Sequence, residues 1–252
     1  MKIVSWNCNG NFRETITSII DENSETYLDA DIYVIAECEN PREPLPKYEE
    51  YKKIVEDSFK DNYFWTGDLH YKGLGIFAKD NIKLEIIEGL NEKFKNFIAL
   101  RVNDKYNLLG VWAMGEDKEK GLNEYVEMIH DYFDANSQLF DENLIVCGDF
   151  NSNVIWNSEH KAKDNEGNPK DQTNLNIKLN KRGLYSVYHD LTGEKQGEET
   201  QATFFQYRHL NQSHHIDYVY AKKNAISGFE ILDNYNWINL SDHLPLVFEH
   251  LE

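Results

Sequence analysis

Cysteine is scarce and poorly placed for cross-linking: the 252-residue chain has three, Cys8, Cys38 and Cys147, an odd number at wide separations. That excludes a disulfide framework and a CxxC metal knuckle, and it predicts reduced, buried thiols. Positive charge is also short. With 26 Lys and Arg against 44 Asp and Glu, the net charge is −18 and the pI is near 4.9. Such a chain does not hold nucleic acid by coating phosphates with a basic face. The deficit leaves room for an enzyme that meets phosphate through a bound cation.

Long apolar runs are missing as well. The longest, such as Ile32–Ala36 and Leu144–Cys147, are far below the ~20 residues of a membrane-spanning helix. After Lys2 the chain reaches Ser5 and Asn7 at once, without the apolar stretch and small-residue cleavage site of a secretory signal, so the cytoplasm is the expected location. No repeat, low-complexity tract or Pro/Gly/Ser linker divides the chain, and one domain over 1–252 is expected. What is present is apolar and aromatic material, 40% and 13% of the residues, too much for a disordered acidic segment.

That material is arranged mostly in short β-rich runs between turn residues. Lys2–Asn7, Asp31–Ala36, Gly75–Ala78, Ile82–Ile87, Phe97–Val102, Asn107–Trp112, Leu144–Cys147, Ile216–Tyr220 and Pro245–Phe248 read as strands. Helical spacing predicts helices over Glu14–Glu22, Glu124–Phe133 and, more weakly, Asn174–Lys181. The polar stretch Asn157–Thr173 reads as a long loop inside the domain.

Unusual polar residues collect at the strand margins. Asn7 ends the first strand, Glu37 follows the second, Asp149 and Asn151 follow Leu144–Cys147, Asp217 lies in Ile216–Tyr220, and Asp242 and His243 precede the last. Strand-end Asp and Asn are often only turn formers. Together these residues exceed what turns need, and loops at strand ends are where sheet proteins build ligand clefts. Glu37, Asp149 and Asp242 are hard oxygen donors suited to Mg²⁺, with Asn7 a neutral one. Gathering carboxylates without a cation would raise their pKa values and cost stability.

Gly148-Asp149-Phe150-Asn151 and Ser241-Asp242-His243, preceded by Ser5-Trp6-Asn7 and Glu37, resemble the endonuclease/exonuclease/phosphatase superfamily, within it the bacterial exonuclease III and apurinic-endonuclease kind. The resemblance runs from Lys2 to Phe248 with the motifs in order. It implies an α/β fold, a four-layered sandwich of two mixed β-sheets packed face to face with outer helices. It also implies a phosphodiesterase that hydrolyses nucleic acid by in-line attack of water, with Mg²⁺ or Mn²⁺ as cofactor. The substrate implied is nucleic acid, DNA first, with no membrane and no obligate protein partner.

Carried over by residue, Asn7, Glu37 and Asp242 match the metal ligands, and Asp149 the group that orients or deprotonates water. Asn151 matches an amide on the nucleophile or phosphate, His243 the phosphate-contacting histidine, and Asp217 its orienting carboxylate. Trp112 stands where nuclease members usually place Tyr or His, and Asn9 where many relatives have Asp. Trp112, His189, Phe204 and Phe205 are candidates for substrate contact, the Phe pair by stacking a base or sugar. His214 and His215 are adjacent, so on a strand they point to opposite faces and cannot easily share one metal. An alternative substrate class is inositol phosphates or phospholipid headgroups. The inositol phosphatase motif resembles WxGDxNxR, and Val146–Asn153 lacks both its Trp and its Arg. Lys178, Lys181, Arg182, Arg208, Lys222 and Lys223 are the nearest candidates for a basic rim.

Overall fold

A computed structural model describes residues 1–115, 124–141 and 143–251. The first half runs β1 (Lys2–Asn7), α1 (Phe12–Ile20), β2 (Ile32–Cys38), α2 (Glu49–Phe59), β3 (Tyr63–Leu69), β4 (Lys72–Ala78), β5 (Leu84–Ile86), β6 (Phe97–Val102) and β7 (Tyr106–Trp112). The second runs α3 (Tyr125–Ala135), β8 (Leu144–Asp149), α4 (Gln172–Lys181), β9 (Leu184–Ser186), α5 (Val187–Thr192), β10 (Phe204–Phe205), β11 (Ser213–His214), β12 (Asp217–Lys222), β13 (Ile226–Ile231), α6 (Tyr235–Leu240) and β14 (Leu246–His250). Two six-stranded mixed sheets result, in the orders β13-β14-β1-β2-β4-β3 and β5-β6-β7-β8-β12-β9, with β10-β11 as a separate hairpin. The expected α/β sandwich is therefore present. Among the described residues no helix is long and apolar enough to cross a membrane.

Strand alternation explains the layers. In the second sheet Ile98, Leu100, Leu108, Trp112, Ile145, Cys147 and Val219 join the first sheet in one core. The alternate residues Phe97, Ala99, Leu109, Val111, Val146, Tyr218 and Tyr220 pack with Val126, Ile129 and Phe133 of α3 and Leu175 and Leu179 of α4. Both faces are covered, which is why these strands read as continuous apolar runs. On the far side Phe12, Ile16 and Ile19 of α1 and Tyr51, Val55 and Phe59 of α2 complete the first core. The sheets meet closely at Gly110, where an added Cβ would lie 3.0 Å from Val34 and 3.2 Å from Ile76.

Several elements differ from the sequence expectation. The helix α2 was not expected: its apolar residues Tyr51, Val55 and Phe59 form one thin stripe among charged ones. The unexpected β3, β9 and β13 are all sheet edges, where one neighbour suffices and apolar alternation is diluted. The helix α4 starts two residues early because the Asp171 side chain caps it, accepting from the Asn174 N–H. The long loop is tied down: it opens with a short 3₁₀ turn at Val154–Glu159, and buried Glu127 of α3 accepts the N–H groups of Lys161 and Ala162 at 2.9 and 3.0 Å.

Candidate active site

Sheet direction brings the strand-margin residues together. β1 and β2 are parallel, as are β7 and β8, while β4, β12 and β14 run antiparallel to their neighbours. The ends of β1, β2, β7 and β8 thus share one edge with the starts of β4, β12 and β14. Asn7, Glu37, Trp112 and Asp149 lie at the first set of ends. Lys72, Asp217 and the Asp242-His243 pair lie at the second. Register sharpens this, since Asp149 is the cross-strand partner of both Trp112 and Asp217.

Local backbone chemistry fixes each side chain. Gly148 has φ +142°, and a Cβ there would fall 1.9 Å from the Val111 carbonyl oxygen, so only glycine fits before Asp149. Asn151 takes φ +47°, a conformation asparagine tolerates. Its backbone N–H donates to Asp149 Oδ1 at 2.8 Å, and its Nδ2 donates to Asp149 Oδ2 and the Ala113 carbonyl, each at 2.9 Å. Asn7 Nδ2 adds a third donor to Asp149 at 2.9 Å. Glu37 is the bulged residue where the β2–β4 register shifts, with φ +60°, a device that re-aims a side chain.

His243 is pinned from several directions. Its carbonyl accepts the Trp6 indole N–H at 3.0 Å, its N–H donates to Ser241 Oγ at 3.1 Å, and the Ser241 hydroxyl donates to the Asn7 carbonyl at 2.7 Å. Its Nδ1 meets Asp217 Oδ2 at 2.9 Å, and its Nε2 lies 4.0 Å from Asp149 Oδ2. The Thr203 hydroxyl oxygen accepts the N–H groups of Ile216 and Asp217 at 3.0 Å. Neither Thr203 nor Lys72 was singled out from the sequence. Thr203 precedes the Phe pair and had a weak signal by position; Lys72 had none.

Burial then sets the electrostatics. It pushes the Asp149 carboxyl up to about 7, with Asp217 adding to the rise and His243 opposing it. Burial opposes charge on His243, but Asp217, Asp149 and Asp242 outweigh it and raise the imidazole to about 10. Asp242 is also raised, by burial first and then by the charge of Glu37, against the lowering pull of His243.

Asp149, Asp217 and His243 offer ligand atoms within 4.8 Å of one another. His243 is hydrogen-bonded to Asp217, and Asp149 to Asn7 and Asn151. Glu37, Asp242 and the Asn7 carboxamide oxygen are hard donors with excess negative charge, a set that fits a divalent cation of the Mg²⁺ type. A cation already sits on this set, because Lys72 Nζ is 2.9 Å from Glu37 Oε2. No Lys or Arg neighbours Glu37, Asp149 or Asp242 along the sequence; Lys72 reaches Glu37 through the pairing of strands.

The remaining candidates separate. The Phe204 ring lies 4.7 Å from the His243 ring and is partly exposed, while Phe205 packs against the core. Trp112 is 2% exposed and its indole N–H has no hydrogen-bond partner among the described residues. His189 sits further out, bonded to Glu199 at 3.0 Å and paired with Ser186 Oγ at 2.7 Å. His214 packs on Trp156, and His215 on Tyr188. Asn9 is exposed, donating its N–H to Asn7 Oδ1. All three cysteines are buried and free. The basic residues do not form one rim: Lys178 pairs with Asp134, Lys223 with Asp190, and Arg182 lies over Phe140.

This edge of two facing sheets carries an Asp–His pair beside hard oxygen donors. The sequence profile of the Endonuclease/Exonuclease/phosphatase family matches residues 4–243, and the chain belongs to that family, whose hydrolases typically depend on a divalent metal. Among solved structures it is similar to a 3′-5′ exonuclease from Neisseria meningitidis, at 17% identity, covering 99% of both chains with a TM-score of 0.63. A 3′ phosphatase from Neisseria bound to a product DNA hairpin matches at 17% identity over 100% of both chains, also at 0.63. An AP endonuclease from Archaeoglobus fulgidus matches at 18% over 99% of both chains, with a TM-score of 0.65. No curated protein matches this sequence.

Proposed function

We propose that the protein is a Mg²⁺- or Mn²⁺-dependent nuclease that cleaves phosphodiester bonds of nucleic acid, DNA first, by in-line attack of water. The observation carrying this is the convergence of Asp149, Asp217 and His243 in one buried cluster, with Asn7 hydrogen-bonded to Asp149 and Asp242 close enough to feel the charges of His243 and Glu37. The activities of the similar structures, a 3′-5′ exonuclease, a 3′ phosphatase and an AP endonuclease, favour nucleic acid over inositol phosphates. So does the absence of the inositol phosphatase Trp and Arg around Asp149.

In this reading Asp149, steadied by three N–H donors, orients the attacking water and takes its proton. His243, cationic through Asp217, donates from Nε2 to the phosphate oxygen that gains charge. Asn151 acts on Asp149, since both its amide hydrogens are committed. Glu37, Asp242 and Asn7 would hold the divalent ion, which neutralises charge on the phosphate and leaving oxygens. Phe204 offers a stacking surface at His243, with Trp112, His189 and Phe205 behind the reacting edge. The test is a panel of single-stranded DNA, duplex DNA, abasic duplex, RNA and soluble inositol phosphates, each with Mg²⁺ and with EDTA. Metal-dependent cleavage of a nucleic acid is expected. Full activity in EDTA, or hydrolysis confined to inositol phosphates, overturns the assignment.

A further inference from the structure

Lys72 opens β4, and its Nζ approaches Glu37 Oε2 at 2.9 Å while standing 5.4 Å from the centre of the Trp112 ring. Among the described residues it is the cation paired with a proposed metal-holding carboxylate. Arg208, whose charge acts on Asp242, is tethered by two of its guanidinium hydrogens to the carbonyls of Asn239 and Leu240. The Trp112 ring gives the ammonium an aromatic face, and that ring adjoins Asp149 through the β7–β8 register.

A lysine and a divalent cation cannot both sit within 3 Å of one Glu oxygen without strong repulsion. The Lys stem has four carbons, and its ammonium is a point charge that binds phosphate without a fixed approach angle. Resting on the reading of this edge as a metal-dependent phosphodiesterase site, we propose that Lys72 is an exchangeable cation. It neutralises Glu37 while the divalent ion is absent, and turns to the substrate phosphate when that ion takes Glu37. Metal and phosphate then bind with positive coupling through one side chain: each releases what the other needs, and the coupling is reciprocal. Lys72 is on this account a positioning and specificity residue for an anionic ligand.

The test is Mn²⁺ binding to the full chain, read by the resonance of free Mn²⁺, with and without thymidine monophosphate as the phosphate probe. The Lys72 side chain is 37% exposed, so Lys72→Met leaves the core intact, and Lys72→Arg restores charge. Lys72→Met should bind Mn²⁺ about twofold to fivefold more tightly in the absence of nucleotide, the size of a half-exposed ion pair. The nucleotide should tighten Mn²⁺ binding about tenfold in the wild type, less than about threefold in Lys72→Met, and to an intermediate degree in Lys72→Arg. An equal nucleotide effect in wild type and Lys72→Met, or none in the wild type, overturns the proposal while leaving the metal site standing. Failure of the wild type to bind Mn²⁺ at all overturns the metal reading beneath it, and the exchange with it.

Discussion

Substituting Asp217 by Asn isolates the charge that orients His243. The two groups are joined at 2.9 Å from Nδ1 to Oδ2, which places their charge centres ~4 Å apart, worth about 4 kcal/mol at an effective dielectric near 20. In Asp217→Asn the carboxamide oxygen can still accept the Nδ1–H, recovering about 1 kcal/mol. The net loss of about 3 kcal/mol corresponds to roughly 10²-fold in rate, or about two pKa units on the imidazole. Because that pKa is raised to about 10 in the wild type, wild-type His243 stays cationic at about pH 8, and in Asp217→Asn it becomes partly neutral there. Single-turnover rates on a short DNA duplex measure the first effect, and the His243 ring resonances followed against pH measure the second. A His243→Ala variant should lose at least about 10²-fold, and adding Asp217→Asn to it should cost less than about threefold. Additive losses, or an imidazole whose titration is unmoved by Asp217→Asn, would refute the coupling.

Trp112→Phe should keep most turnover and lie within about 1 kcal/mol of wild-type stability, since it trades buried ring area against an indole N–H that lacks a hydrogen-bond partner among the described residues; a 10²-fold rate loss at unchanged melting temperature would make that N–H a phosphate donor. Burial opposes ionisation of Glu199, but His189 and the Gly197 N–H outweigh it and hold the carboxyl down to about 2 from 4.5. A depressed carboxyl stabilises the fold above its unfolded pKa and loses that as pH falls through the folded one. The stability gap between wild type and Glu199→Gln, about 1–2 kcal/mol near neutrality after solvent screening of a half-buried group, should therefore close between about pH 4.5 and 2 in denaturant titrations. Binding to long duplex DNA, measured with Ca²⁺ across a salt series, should show a log–log slope of about −2, because among the described residues Lys72 and Arg208 are the Lys and Arg that act on the site carboxylates Glu37 and Asp242; a slope near −8 would reveal a wide basic groove.

The strands buried on both faces were legible, because continuous Val, Ile and Leu runs have few other folds to serve. Edges were not: Ile226–Ile231 includes Ser227, Gly228 and Glu230 and gives no clean alternation. Asp149, Asp217 and His243 were legible because carboxylates and imidazole at strand ends are out of place unless something gathers them. What placed Glu37 was invisible, since a β-bulge depends on how two strands pair rather than on local composition. Lys72 was hidden for the same reason. It is an ordinary strand-start lysine until the bulge turns Glu37 toward it. The basic residues gathered from the sequence as a rim were read by their number, while the structure commits Lys178 and Lys223 to partners on other elements.

The electrostatic tension at this edge follows from the packing that builds the fold. The two sheets approach closely at Gly110, and β7 and β8 of one sheet approach closely at Gly148; Asp149 and His243, at the end of the same seam, are buried. A solvated Asp and His at this spacing would keep near-ordinary pKa values. Here burial raises Asp149 toward neutrality, and the surrounding carboxylates raise His243 beyond it, with the carboxyl and the imidazole 4.0 Å apart. Residual negative charge on Glu37 and Asp242 then has to be met by a cation. A chain with net charge −18 meets it with Lys72 until a divalent ion and a phosphate arrive together. Polyanion recognition by so acidic a protein is thus a local matter, confined to the few ångströms in which the sheet edge concentrates its own positive charge.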